Sequence, residues 1–116
     1  MTVSGTERFA LVPTPFMEMH HVQFLTVTRR LSERFSDAEF AARIEQEVAQ
    51  ARVLYAEGFF RQLWHRTDVA GACLLIEADS EDRVREKLNT LPLFQAGMLE
   101  VSIIPLKPYA GFCPPK

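Results

Sequence analysis

Apolar residues along this chain keep two different periods, and the change between them falls at recognisable punctuation. In "HHVQFLTVT", residues 20–28, β-branched and aromatic residues alternate with others, the pattern of a strand. Alternation sets Val22, Phe24 and Thr26 on one face and His21, Gln23, Leu25 and Val27 on the other. "RRLSERFS" follows as a polar connection. From Ser36 the period lengthens: Phe40, Ile44, Val48, Ala51, Leu54 and Tyr55 recur at helical spacing. "SDAE" at the head of that run is a capping box, with Ser36 as N-cap and Glu39 at the third helical position. Gly58 stands where a left-handed residue ends a helix.

A second strand is predicted over 59–66, "FFRQLWHR"; "RTDVAG" supplies turn chemistry, and "ACLLIEA" makes a third strand, so the two form a hairpin. Ser80 caps a second helix, with Glu81 and Asp82 in its first turn and Val84, Leu88 and Leu91 as its apolar positions. That helix stops before Pro92. "GMLEVSIIPL" supplies a fourth strand, and "KPYAGFCPPK" reads as an extended tail.

The order β-α-β-β-α-β predicts an α+β, ferredoxin-like domain: a four-stranded antiparallel sheet with two helices on one face. It is expected to span 20–109, behind an extended N-terminal arm at 1–19 that holds "VPTPF", and ahead of a C-terminal tail at 110–116. The other sheet face, carrying Leu25 and Val27, is left bare. An apolar bare face meets a second subunit or a ligand, so self-association into a homo-oligomer is expected.

Composition narrows the functional classes. At 116 residues the chain is the size of one domain, and a formal charge of -2 provides no basic footprint for nucleic acid. No stretch approaches the roughly 18 apolar residues of a membrane helix, and the N-terminus lacks the basic start and apolar core of a signal peptide. A cytoplasmic protein is expected. Cys73 and Cys113 show no metal-ligand spacing, so both are expected as free thiols, Cys73 in the core. No G-x-S-x-G, phosphate-cradling glycine loop or H-E-x-x-H occurs, and neither a metal nor a cofactor is expected.

Glu47 is the most informative single residue. Positions 40, 44, 47, 51 and 54 share one helical stripe, which sets a carboxylate in or beside the apolar face. Unpaired there, its charged form is disfavoured and its pKa raised, as suits a general base or acid. The alternative is that it reaches solvent from the edge of the stripe or pairs with Arg43. His20 and His21 point to opposite faces of a strand and so cannot share one ion; His21 is either a structural residue or a proton carrier in a pocket on the bare face. In "GFFRQLWHR", strict alternation groups Phe60, Gln62, Trp64 and Arg66 against Phe59, Arg61, Leu63 and His65. Either these side chains pack across strands with charged tips in water, or they line an apolar cleft in which Arg61 holds a carboxylate.

Several segments together resemble muconolactone delta-isomerase and its relatives, over about His21 to Tyr109. They are "HV" opening the first strand, the helix ending in "AEG", "RQLW" after it, and "LNTLPLFQAGMLEV". The resemblance implies a ferredoxin-like fold that pairs into a dimeric α+β barrel and often builds larger rings. It implies a cofactor-free shift of a double bond within a small carboxylated lactone or related unsaturated acid, in aromatic compound catabolism. It assigns proton shuttling to Glu47, a catalytic role to His21, and substrate binding to Arg61 and Trp64, with His65 on the same strand as a further candidate. Gln62 departs from the family pattern, which has histidine there. Two alternatives stand beside the isomerase: a cofactor-independent monooxygenase or cyclase of the same barrel type, and a non-catalytic ligand-binding or assembly module.

Overall fold

The computed structural model describes residues 22–112; the arm, His20, His21 and Cys113 lie outside the described residues. β1 (Val22–Arg30) ends at Arg30 instead of Thr28, because both arginines keep ladder partners. Arg29 stands opposite Gly71 and Glu100, and the Arg30 N–H donates to the Ala70 carbonyl at 2.8 Å. α1 (Asp37–Ala56) begins at the expected capping box: the Glu39 N–H donates to Ser36 Oγ at 3.2 Å and the Ser36 N–H to Glu39 Oε1 at 2.8 Å. Gly58 follows at φ +86°, a conformation that disfavours any side chain. β2 (Phe60–His65) and β3 (Gly71–Ala78) form the hairpin.

The second helical region divides. α2 (Glu81–Leu88) ends early, Leu91 packs from the turn beyond it, and Pro92 opens a short α3 (Pro92–Gln95). Proline suits that position because the first helical N–H has no partner within the helix. β4 (Leu99–Leu106) completes the sheet, and its Pro105 is tolerated because β4 is an edge strand. The tail is not extended throughout: Ala110–Phe112 forms a 3-10 turn, with the Tyr109 and Phe112 rings edge to face, centroids 4.7 Å apart.

The strand order is β2-β3-β1-β4 with every neighbouring pair antiparallel, the ferredoxin-like arrangement. Phe24, Thr26 and Thr28 of β1 are buried beneath the helices, while Leu25 and Val27 occupy the outer face. Three rows of inward side chains cross the sheet from β1 through β3 to β2. They are Phe24, Ile76 and Phe60; then Thr26, Leu74 and Leu63; then Thr28, Ala72 and His65. Side-chain volume at β3 falls at the third row, where Ile76 and Leu74 give way to Ala72.

Strict alternation fails in β2. Phe60 stands opposite Ile76 and Gln62 opposite Leu75, so two β2 steps match one on β3, a β-bulge at Arg61. The bulge moves Phe60 onto the same face as Leu63 and His65, toward the helices, and leaves Gln62 and Trp64 on the outer face. Cys73 is corrected in the same way: opposite Trp64 and Val27, it is a half-buried residue of the outer face, not of the core.

The core forms two clusters. The larger gathers Phe24, Leu54, Phe60, Ile76, Val84 and Leu88, and the smaller Phe40, Leu93 and Met98. Thr26 is fully buried, yet its hydroxyl has no hydrogen-bond partner among the described residues. Valine keeps the shape and removes the unpaired group. Thr26→Val should therefore stabilise the fold by about 1 kcal/mol, seen as a rise of roughly 4 °C in thermal denaturation.

Candidate active site

The two core clusters do not meet along their whole length. Between them, α1 stands over the sheet across a cavity of about 730 Å³. The small residues explain the space: Thr28, Ala72 and Gly71 form the far end of its floor, and Ala51 lines it from α1. Phe60, Leu63 and Leu74 form the rest of the floor, and Leu91, Leu93 and Phe94 close one side. In α1 only Phe40 and Leu54 are buried, near its two ends, while Ile44, Glu47 and Ala51 between them are half-buried along the cavity.

Glu47 is the sole carboxylate among the described residues lining this space. Its Oε1 accepts the Leu93 N–H at 2.9 Å, which supplies α3 with the cap its own N-cap residue Leu91 lacks. Its Oε2 has no hydrogen bond among the described residues. Arg43, the salt-bridge partner weighed from sequence, instead donates to the Glu39 carbonyl at 3.2 Å. Burial among apolar neighbours pushes the Glu47 carboxyl above its usual pKa of 4.5; the Leu93 N–H and the positive charge of Arg30 oppose that rise without cancelling it. The result is a carboxyl tied by one oxygen to the fold and raised toward the range of a working base.

Cationic and hydroxyl groups share the cavity. The Arg30 guanidinium lies 4.9 Å from the centre of the Phe40 ring, and Arg52, Tyr55 and His65 also contribute to the lining. Arg66 is committed to structure: it holds Asp68 through two hydrogen bonds of 3.0 and 2.6 Å and donates to the Thr28 carbonyl at 3.2 Å. That pairing draws the Asp68 carboxyl down to about 2.

The residues singled out from sequence thus separate. Glu47 and His65 line one cavity. Arg61, displaced by the bulge, borders a different hollow of about 370 Å³ and lies 3.6 Å from a Glu77 oxygen. Trp64, 49% exposed, stands on the outer sheet face. His21 is outside the described residues. Among the described residues no group of three or more His, Cys, Asp and Glu side chains is arranged to hold a metal ion.

The model of the muconolactone delta-isomerase family matches residues 20–111. The chain belongs to the muconolactone delta-isomerase family. No curated protein matches it. As a member of this family the chain is isomerase-like, with the α+β sheet-and-helix fold expected for it. No helix among the described residues is long and apolar enough to cross a membrane.

Sequence reasoning did not pick out Arg30, Arg52 or the alanine floor. The signal for Arg30 was available: carried two residues beyond Thr28, the alternation of β1 places it on the helix-facing side. Arg52 adjoins the helical stripe of Ala51 and Tyr55. The alanines carry no chemical signal of their own and matter only once the strands are in register.

Proposed function

We propose that this protein is a cofactor-free isomerase of an unsaturated carboxylic acid or carboxylated lactone, with Glu47 carrying the proton. The observation behind this reading is a half-buried carboxylate, the only one lining an apolar cavity among the described residues and without a partner among them at one oxygen, in an isomerase-family fold. In the proposed step the Glu47 carboxylate removes the proton alpha to the substrate carbonyl. The electron pair delocalises into a dienolate, and the same carboxyl returns the proton at the gamma carbon. One C–H bond breaks, one forms, the double bond moves and no electrons are exchanged with any other reagent. Arg30, close enough to Glu47 to act on its charge, is proposed to hold the substrate carboxylate, and His65 or Tyr55 to hydrogen-bond the dienolate oxygen.

Arg61 and Trp64 are proposed to act outside this cavity. Leu25, Val27, Leu75, Ile104 and Trp64 make the outer sheet face apolar, which suits pairing with a second copy; Trp64 would lie in that interface. His21, one residue before β1, is proposed to approach the site only through such an assembly. A cytoplasmic setting and a role in aromatic compound catabolism accord with the family.

The test is solvent-deuterium incorporation. Incubated in D2O with unsaturated lactones and acids, the protein should deuterate the alpha and gamma carbons without consuming oxygen. Oxygen uptake with the same compounds would favour the monooxygenase reading instead, and neither activity would favour the binding module.

A further inference from the structure

We infer that the ligand this cavity is built for is a planar acid of at least two fused rings, larger than a single-ring lactone. The inference rests on the isomerase reading for the position of the reacting carbon, but its size argument stands on the cavity alone. Sites of roughly 300–1,000 Å³ hold drug-sized molecules, and this half-open one measures about 730 Å³, whereas a six-carbon lactone covers a small part of its lining.

The shape of the space selects a flat body. Its floor is a pleated sheet surface and its roof the middle of one helix. Small residues line both sides of it, Ala72 and Gly71 on the sheet and Ala51 on the helix. Such a slot admits a ring system lying parallel to the sheet. Phe60 and Phe94 line the same slot with ring surface, which suits stacked or edge-to-face contact with further rings. A flexible alkyl chain gains less here, because ordering it in a slot forfeits its rotamer freedom.

The polar groups set the orientation. Arg30 and His65 mark the end of the cavity at the C-terminal ends of β1 and β2, where the floor is narrowest in side-chain volume. The ligand's carboxylate belongs at that end, where the cationic Arg30 lies. The rings then extend over Leu74 and Leu63 toward Phe60 and bring a carbon adjacent to the carbonyl beneath Glu47.

The test is calorimetric titration of the full chain with benzoate, 2-naphthoate, decanoate and 2-naphthamide. The added ring should bury enough apolar surface for 2-naphthoate to bind about tenfold more tightly than benzoate. It should also bind at least tenfold more tightly than decanoate or the uncharged amide. Ala51→Leu, which fills the helix side of the space one turn before Leu54, toward Phe60, should weaken 2-naphthoate more than benzoate and so remove the preference. Benzoate or decanoate matching 2-naphthoate, the amide matching the acid, no binding by any of the acids, or an Ala51→Leu protein that keeps the preference would each overturn the inference. The two readings fail separately. The predicted size preference in a protein whose deuterium exchange survives Glu47→Gln sinks the proposed mechanism and leaves the ligand class standing. Glu47-dependent exchange on a single-ring lactone, with 2-naphthoate excluded, does the reverse.

Discussion

Glu47→Gln should lower alpha-proton exchange by about 10²- to 10⁴-fold, the usual contribution of a positioned general base, while leaving the protein folded. The two expectations come from the two oxygens. An amide oxygen can still accept the Leu93 N–H, so the tether between α1 and α3 survives the substitution. An amide nitrogen cannot take up a proton at the other position, so the chemistry is lost. Glu47→Ala is the contrasting variant: it removes the tether as well, leaves the Leu93 N–H unpaired, and should cost about 1–3 kcal/mol in chemical denaturation. A Glu47→Gln protein with full exchange activity, and a circular dichroism spectrum and melting temperature like those of the parent, would remove Glu47 from the mechanism.

Gly71 should tolerate substitution least among the glycines described. A Cβ built there collides with the Thr28 carbonyl oxygen and comes within 3.1 Å of Arg29 Cα. Both obstacles are backbone of the neighbouring strand, so they cannot swing aside as a side-chain tip would. The local ladder is already rearranged around this approach. The Ala72 N–H donates to Thr28 Oγ1 at 3.0 Å, and Arg66 takes the Thr28 carbonyl. Gly71→Ala must therefore push β1 and β3 apart at the cavity floor. We expect a loss of about 3 kcal/mol in urea denaturation, at the upper end of overpacking costs. Gly97→Ala is the control: Gly97 sits at φ +69° with open space around its Cβ position, so only backbone strain of about 1 kcal/mol is at stake. Equal losses for the two variants would contradict the assignment of Gly71 to a steric role.

Most of the fold was legible because its signals are local. A capping box, a helical stripe and a period-two strand each lie within a few residues of sequence, and α1 and the faces of β1 follow from them. Glu47 was found for the same reason: a carboxylate on a helical stripe is visible without knowing what the stripe faces. What failed was whatever depends on a second strand. The bulge between Phe60 and Gln62 exists only in the register of β2 against β3. Without it, Phe60 groups with Trp64; with it, Phe60 joins His65 on the cavity floor. Pro92 misled for a different reason, since proline both ends one helix and begins the next.

The cavity itself was the least legible feature. It arises from what Ala51, Gly71, Ala72 and Thr28 leave unfilled, and small residues announce nothing individually. Arg61 drew attention as a carboxylate clamp because it is an arginine among rings, yet the bulge directs it to Glu77. Arg30 was passed over because the doublet "RR" reads as the end of a strand, whereas Arg29 and Arg30 continue it and point to opposite faces.

The central claim is that a desolvated Glu47 moves the substrate proton, and the pH dependence of exchange on the unmodified protein tests it most directly. A general base acts only when deprotonated, and burial holds this carboxyl above the ordinary 4.5. Alpha-carbon deuteration of an unsaturated acid, followed by NMR across the acidic range, should rise with pH along a single limb whose midpoint lies above 4.5. A rate that is flat through that range, or one whose midpoint lies at or below the ordinary glutamate value, would contradict the account.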